Sequence, residues 1–294
     1  MTVLSCARRN LAMHWRDKTG VFFSLLAPLI ILMLFLLFLG KTQVDSLVKE
    51  MPGLSRDTAQ WAVQALLVGS ICFVTTMTMP LGGIGVLIED RIHGRLDDIL
   101  VTPASRRVLA GGYALSAFLT GLVGTLGIWL LGALVMVAQG LALPGLAAIA
   151  KTGAALVGSC AVFSALAVWL ATGMRTQNAY AAVSTIFGTM VGFVAGVYVP
   201  MGVLPDSVAN TVTALPFAQA ATLIREPLTA ESFAAMTAGA PAATADAASQ
   251  DLGLTASVAG NPLSPWLLWL SLAVYGLIFG AFAVRGLARV VRRG

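Results

Sequence analysis

Residues 21–39 read VFFSLLAPLIILMLFLLFL, nineteen positions without a charge. At about 1.5 Å of helical rise per residue the run covers roughly 28 Å, the thickness of a bilayer's hydrocarbon core. It exceeds the apolar region of a secretory signal, about 7–15 residues, and no A-x-A-like site closes it, so it reads as a retained span. Lipid is therefore the solvent in which the rest of the chain is read. Hydrophobic residues make up 58% of the 294 positions and charged residues 11%, against about 25% charge in a soluble domain. Mean hydropathy is +0.87. That length holds roughly six spans with their connections. No room is left for an ATPase or other large catalytic module.

Working outward from the first span, residues 1–19 form a separate cytoplasmic amphipathic helix. Leu4, Ala7, Leu11 and Trp15 recur at helical spacing, with Arg8, Arg9, Arg16 and Lys18 around them. Such a basic helix with a Trp lies in the headgroup plane. Residues 20–294 form one transmembrane domain. Its spans fall at about 21–40 (with a kink expected at Pro28), 61–88, 108–138, 146–174, 179–199 and 265–284. Residues 41–60 read as a loop with a short helix. Residues 89–107 are densely charged. In 200–262 the prolines 200, 205, 216 and 227 cut the chain into apolar pieces too short to cross, such as Ser207–Leu215 and Phe217–Ile224. Interfacial or re-entrant helices are expected there, followed by a flexible Ala-rich loop at 229–262. The fold class is thus an all-α polytopic membrane protein with six transmembrane helices.

Net charge is +5. Because the basic residues flank apolar runs, they report topology and no nucleic-acid face. Thirteen of the 18 Lys and Arg fall on the side of the termini and of 89–107, and five (Lys41, Lys49, Arg56, Lys151, Arg225) on the other. Excess positive charge marks the cytoplasmic side. Both termini and 89–107 are therefore placed in the cytoplasm and 200–262 outside. Cys6, Cys72 and Cys160 are odd in number and scattered, so they read as packing residues and not as disulfides or metal ligands.

The spans lack a mid-membrane Asp, Glu or His, the usual mark of a proton- or ion-coupled carrier. A secondary transporter is disfavoured for that reason. No GxxxxGK[ST] loop occurs, so the chain has no device of that kind for ATP. Uphill transport would need energy from a partner protein. The segment for binding one is 89–107. Ile92, Leu96, Ile99 and Leu100 form a narrow apolar stripe among Glu89, Asp90, Arg91, Arg95, Asp97 and Asp98, and Pro103 stops the helix. Such a helix suits docking into a protein groove; an interfacial helix touching lipid is the other reading, and its four acids count against it.

Three places carry a family resemblance. One is Arg16-Asp17-Lys18 followed by Phe22-Phe23-Ser24-Leu25-Leu26 and Pro28. Another is the run from Glu89 through Gly94, Leu100 and Pro103, with Arg106 after it. The third is Gly196-Val-Tyr-Val-Pro200 with Leu204-Pro205, Leu215-Pro216 and Arg225. The chain resembles an ABC transporter permease subunit of the transmembrane type-2 class, which includes exporters of drugs, antibiotics, lipids and polysaccharides. The likeness covers nearly the whole chain; the Ala-rich 229–262 departs from it. It implies that Glu89, Arg91, Gly94, Leu96, Leu100 and Pro103 couple the permease to a separate ATP-binding subunit, present in two copies. That subunit would hold ATP and magnesium; this chain would hold no cofactor and catalyse nothing alone. It also implies a pair of permeases, two copies or a sister chain, meeting at the first and fifth spans, with the external pair of re-entrant helices after the fifth.

Gly188, Gly192 and Gly196 form overlapping G-x-x-x-G units on the fifth span. Such spacing lets helices approach closely, either across that dimer interface or within one subunit. Thr75, Thr76, Met77, Thr78 and Met79 on the second span, with Thr185, Thr189 and Met190 on the fifth, are candidates for a path suited to an amphipathic substrate; plain helix packing explains the same residues. A non-transporting membrane assembly, signalling or immunity subunit is the alternative function.

Overall fold

The computed structural model describes residues 2–51, 53–101, 105–194, 205–239, 241–258 and 261–293. The chain begins with helix α1, Val3–Arg16, started by a reciprocal cap in which Thr2 Oγ1 accepts from the Ser5 backbone and Ser5 Oγ from that of Thr2. Asp17 then caps α2, Lys18–Leu34, by accepting from Gly20 N–H at 3.0 Å. A shared Asp at the junction divides the stretch into two helices.

The first span does not stop at residue 40. After α2 the chain runs through a π-helical turn, Phe35–Leu39, directly into α3, Gly40–Glu50. The short helix expected within 41–60 is Gly40–Glu50, and it continues the first span without a break. Lys41, Thr42, Gln43 and Asp45 are compatible with a helix that has left the hydrocarbon; polarity there signals the end of the membrane, not of the helix. The chain stays helical through Pro28, and the winding changes at Phe35, where one wider turn accommodates the shift.

Helix α4, Arg56–Ile92, is the centre of the molecule, capped at its start by Ser55. Its 37 residues span about 55 Å, well beyond a hydrocarbon core, so Glu89, Asp90 and Arg91 leave the lipid on the same helix that crosses it. A short α5, Arg95–Leu100, follows. Helix α6, Arg106–Ala138, capped by Ser105, returns alongside α4. Their approach uses glycine: a Cβ built at Gly121 would sit 2.5 Å from Pro80 Cγ, so a larger residue there would drive the helices apart. Helix α7, Leu146–Gly173, and helix α8, Gln177–Val194, complete the middle of the chain.

Among the described residues, five helices are long and apolar enough to cross a membrane: Pro28–Lys49, Arg56–Ile92, Arg106–Ala138, Leu146–Gly173 and Pro265–Val290. The expected fifth span begins as α8, but its last positions, 195–199, lie outside the described residues, as does Gly196.

From residue 205 on, the described chain is more helical than its prolines suggest. Helix α9, Asp206–Ala214, matches the first short piece. The second is the start of a longer helix, α10, Pro216–Met236, which passes through Pro227. Ala218, Ala220, Ala221, Leu223, Ile224 and Leu228 are buried, with α10 packed on α4 and α7; that burial offsets the hydrogen bond Pro227 cannot donate. The flexible loop expected at 229–262 is corrected likewise. It holds the last turns of α10, helix α11 (Ala242–Asp251) and a two-residue hairpin, β1 (Ser257–Val258) with β2 (Asn261–Pro262). Low complexity resembles a linker, but alanine is the best helix former. The final helix, α12, Pro265–Arg293, packs along α7.

Candidate functional site

The segment 89–107 is built as a rigid corner. Helix α4 ends at Ile92, His93 caps it by donating to Glu89 O, and Gly94 takes φ +70°. That left-handed conformation reverses the chain, and glycine adopts it without the penalty a Cβ brings. Helix α5 then folds back. Thr102, Pro103 and Ala104 lie outside the described residues, so the stop expected at Pro103 does too.

The centre of the corner is Asp90, a carboxylate with 0% exposure. Arg9 of α1 grips it through both terminal nitrogens, Nη1 to Oδ2 at 2.9 Å and Nη2 to Oδ1 at 3.0 Å. Tyr113 of α6 donates its hydroxyl to Oδ2 at 2.6 Å. Arg95 of α5 places Nε 3.6 Å from Oδ1. A buried carboxylate persists only when charge and hydrogen bonds replace its water, and here the replacements come from α1, α5 and α6. Burial works against the Arg9 cation, but the hydrogen bond and charge of Asp90 outweigh it and hold the guanidinium above its ordinary value.

Sequence reading placed Asp90 only among surrounding charges and left Arg9 as a flank and Tyr113 unremarked. The one sequence signal for this cluster is a tyrosine on an apolar span near its charged end, since a buried tyrosine hydroxyl needs a partner.

The residues expected to couple the chain to a partner divide. Leu96 is 3% exposed and belongs to the chain's own core, whereas Ile92 is 45% exposed and Val101 87%. The expected single apolar stripe is thus split: Leu96 holds α5 onto the membrane domain. Asp97 and Asp98 are exposed, and Glu89 is half-buried. Arg91 donates to the carbonyl of Met174 at the end of α7, which fixes the corner to a fourth helix. Of Leu100, only the backbone is described.

Helix α1 lies against α6 through Cys6 and Ala7, while His14 approaches Gly82 of α4. A Cβ at Gly112 would come within 2.5 Å of Cys6 Cβ. The stripe expected to enter lipid therefore partly turns: Ala7 is buried in protein, while Leu4 and Trp15 stay exposed. His14 is buried with no partner for Nε2. Burial lowers its pKa and Asp17 opposes the shift.

The candidate substrate-path residues do not assemble as one set. Thr75, Thr76 and Met79 are fully buried. Thr75 Oγ1 donates to Ile71 O at 2.8 Å and Thr76 Oγ1 to Phe73 O at 2.6 Å, and Met79 packs where Gly124 makes room. By contrast Thr78, Thr185 and Thr189 line a cavity of about 560 Å³ between α2, α4 and α8. Its charged end holds His14, Asp17 and Glu89. Gly188 lines the same cavity, and a Cβ on it would reach Thr78 Cγ2 at 4.0 Å.

The family model of the ABC-2 type transporter matches residues 1–228. That is more than three quarters of the chain, and the protein belongs to this family of transporter membrane components. All three places that carry the resemblance lie within the matched residues, and the match ends where the Ala-rich segment begins. No curated protein matches the chain.

Proposed function

We propose that the chain is the permease subunit of an ATP-driven exporter, with both termini and α5 in the cytoplasm of a plasma membrane. A separate ATP-binding subunit, two copies per complex, seats against α5 and holds ATP and magnesium. The observation that carries this reading is the Asp90 cluster. It joins α1, α4, α5 and α6 through one carboxylate, so a push on α5 moves three longer helices with it. A surface helix without a mechanical role does not need a buried ion pair costly in water lost. The exposed face of α5, with Asp97, Asp98 and Val101, suits a partner surface that is basic with an apolar seat.

A second permease, identical or a sister, packs on the face of α2 and α8. Phe22, Phe23, Met33, Ile186, Met190 and Phe193 are exposed there, and the small residues beside them on α8 let a second helix approach closely in lipid. The cavity lined by Thr78, Thr185 and Thr189 opens beside that face. Its walls, weakly polar at depth and charged at one end, suit an amphipathic drug, antibiotic or lipid. Gly192, and Gly196 beyond the described residues, continue the close-packing strip of Gly188.

The test is ATP hydrolysis by the reconstituted complex. Asp98→Lys reverses an exposed charge on α5 and leaves Leu96 in place. Substrate-stimulated hydrolysis should drop at least tenfold while membrane insertion is unchanged. Undiminished stimulation would remove α5 from the coupling path.

A further inference from the structure

On the membrane face that carries α5, a second cavity of about 730 Å³ lies between α5, the end of α7 and α12. Four arginines line it: Arg91, Arg175, Arg285 and Arg289, with a single carboxylate, Asp97. Among the described residues Arg175, Arg285 and Arg289 form no ion pair, and Asp97 pairs with none of the four. Arg91 is engaged with the Met174 carbonyl, which is neutral. Three positive charges in excess therefore converge on one concavity, a field that attracts an anion.

The rest of the lining says which anion. Trp169 and Phe282 form its apolar side, with ring centres 5.2 Å apart and planes 25° from parallel. Both are partly exposed. Trp169 lies four residues before the end of α7, about 6 Å deeper than that end. The cavity is thus cationic at its water side and aromatic at its lipid side, within one or two turns. An acidic protein surface or a free phosphate satisfies the first half alone. A phospholipid satisfies both, its phosphodiester on the guanidinium forks and its glycerol and upper chains on the rings.

We infer that an anionic phospholipid is held between α5, α7 and α12, with its headgroup on Arg175, Arg285 and Arg289. Because Asp97 and Leu96 of α5 line the same cavity, the lipid bridges α12 to the corner built on Asp90. The leaflet is the one on the side of α5. To name it cytoplasmic rests on the topology proposed above, and the experiment does not depend on that.

The full chain is placed in nanodiscs of phosphatidylcholine, with or without a fifth of phosphatidylglycerol, then released into detergent for native mass spectrometry and thermal unfolding. Wild type should keep one phosphatidylglycerol per chain and unfold about 4 °C higher than in phosphatidylcholine alone. Arg285→Gln with Arg289→Gln, both exposed, should lose the retained lipid and the shift. Arg8→Gln with Arg16→Gln removes two exposed arginines from α1 and should keep both. Equal losses in the two pairs would mean general charge attraction and overturn the site. Inorganic phosphate or glycerol 1-phosphate giving the same shift in detergent would overturn the lipid as the ligand. Retained phosphatidylglycerol with lost capture of the ATP-binding subunit in the Arg285, Arg289 pair would assign these arginines to the protein partner instead.

Discussion

Arg9, near the start of the chain, and Asp90, at the end of the second long helix, face each other as a two-pronged ion pair at 2.9 and 3.0 Å. They are 81 residues apart in sequence. Everything between them, the first span included, is a loop closed by that contact, and α5 hangs directly from it.

Arg9→Ala leaves the Asp90 carboxylate buried with Tyr113 and the more distant Arg95. Removing one member of a buried pair costs about 3 kcal/mol. Arg8→Ala, one residue away and exposed, should cost under about 0.5 kcal/mol. A cycle of Arg9→Met, Asp90→Met and the double variant, read by unfolding in detergent, should give a coupling above about 1.5 kcal/mol. Additive losses would mean the two residues act separately.

Undocking of α1 has a chemical reporter. Cys6 is 1% exposed against α6, and burial pushes its thiol up while Arg9 pulls it down. In a background with Cys72→Ala and Cys160→Ala, maleimide should label Cys6 slowly in the native chain and at least tenfold faster in Arg9→Ala. Equal rates would show that α1 stays seated without the ion pair.

The same helix carries a pH dependence. His14 is buried and its pKa is lowered by burial, with Asp17 opposing; Asp17 and Glu89 both line the cavity beside it. A base with a depressed pKa binds fewer protons when docked than when free. Its contribution to stability is therefore full above about pH 6.5 and falls as the pH drops through that value. The unfolding midpoint should decline between about pH 7 and 5, and His14→Gln should flatten the decline. An unchanged slope in that variant would assign the effect to other groups.

Gly94 has φ +70° and open space where a Cβ would go. Only backbone strain opposes substitution, about 1–2 kcal/mol for a β-branched residue and less for Asn, which tolerates the left-handed region. Gly94→Val should uncouple ATP hydrolysis in the complex more than Gly94→Asn. Equal effects would point to space, not conformation.

The long apolar runs and the charged corner were legible in the sequence because hydropathy and charge are local properties. The residues that lock the corner were not. Asp90, Arg9 and Tyr113 come from three helices, and no spacing within one helix reports a contact between three. Leu96 shows the same limit: its position in an apolar stripe is correct, but whether that stripe faces a partner or the chain's own core depends on how Gly94 turns the helix. The prolines of 200–262 misled in the other direction. Pro227 reads as a helix end when taken alone, yet α10 runs through it because the surrounding Ala, Leu and Ile are buried on α4 and α7. A short helix after residue 40 was legible, but its unbroken continuation from the first span was not, because polarity marks the end of the membrane and not of the helix.

The proposed topology rests on a count of charges, and labelling on intact cells checks it. In a cysteine-free background, Asp246→Cys on α11 should react with an impermeant thiol reagent applied outside, and Asp98→Cys on α5 only after lysis. The reverse pattern would place α5 outside and end the coupling account.

Site-specific crosslinking from α5 in the working complex tests the central claim most directly. With a photoreactive residue at Val101, which is 87% exposed, irradiation should join the chain to an ATP-binding subunit, and the same probe at Asp246 should not. Capture of an ATP-binding subunit from position 246 but never from 101 would contradict the assignment of α5 as the seat of that subunit.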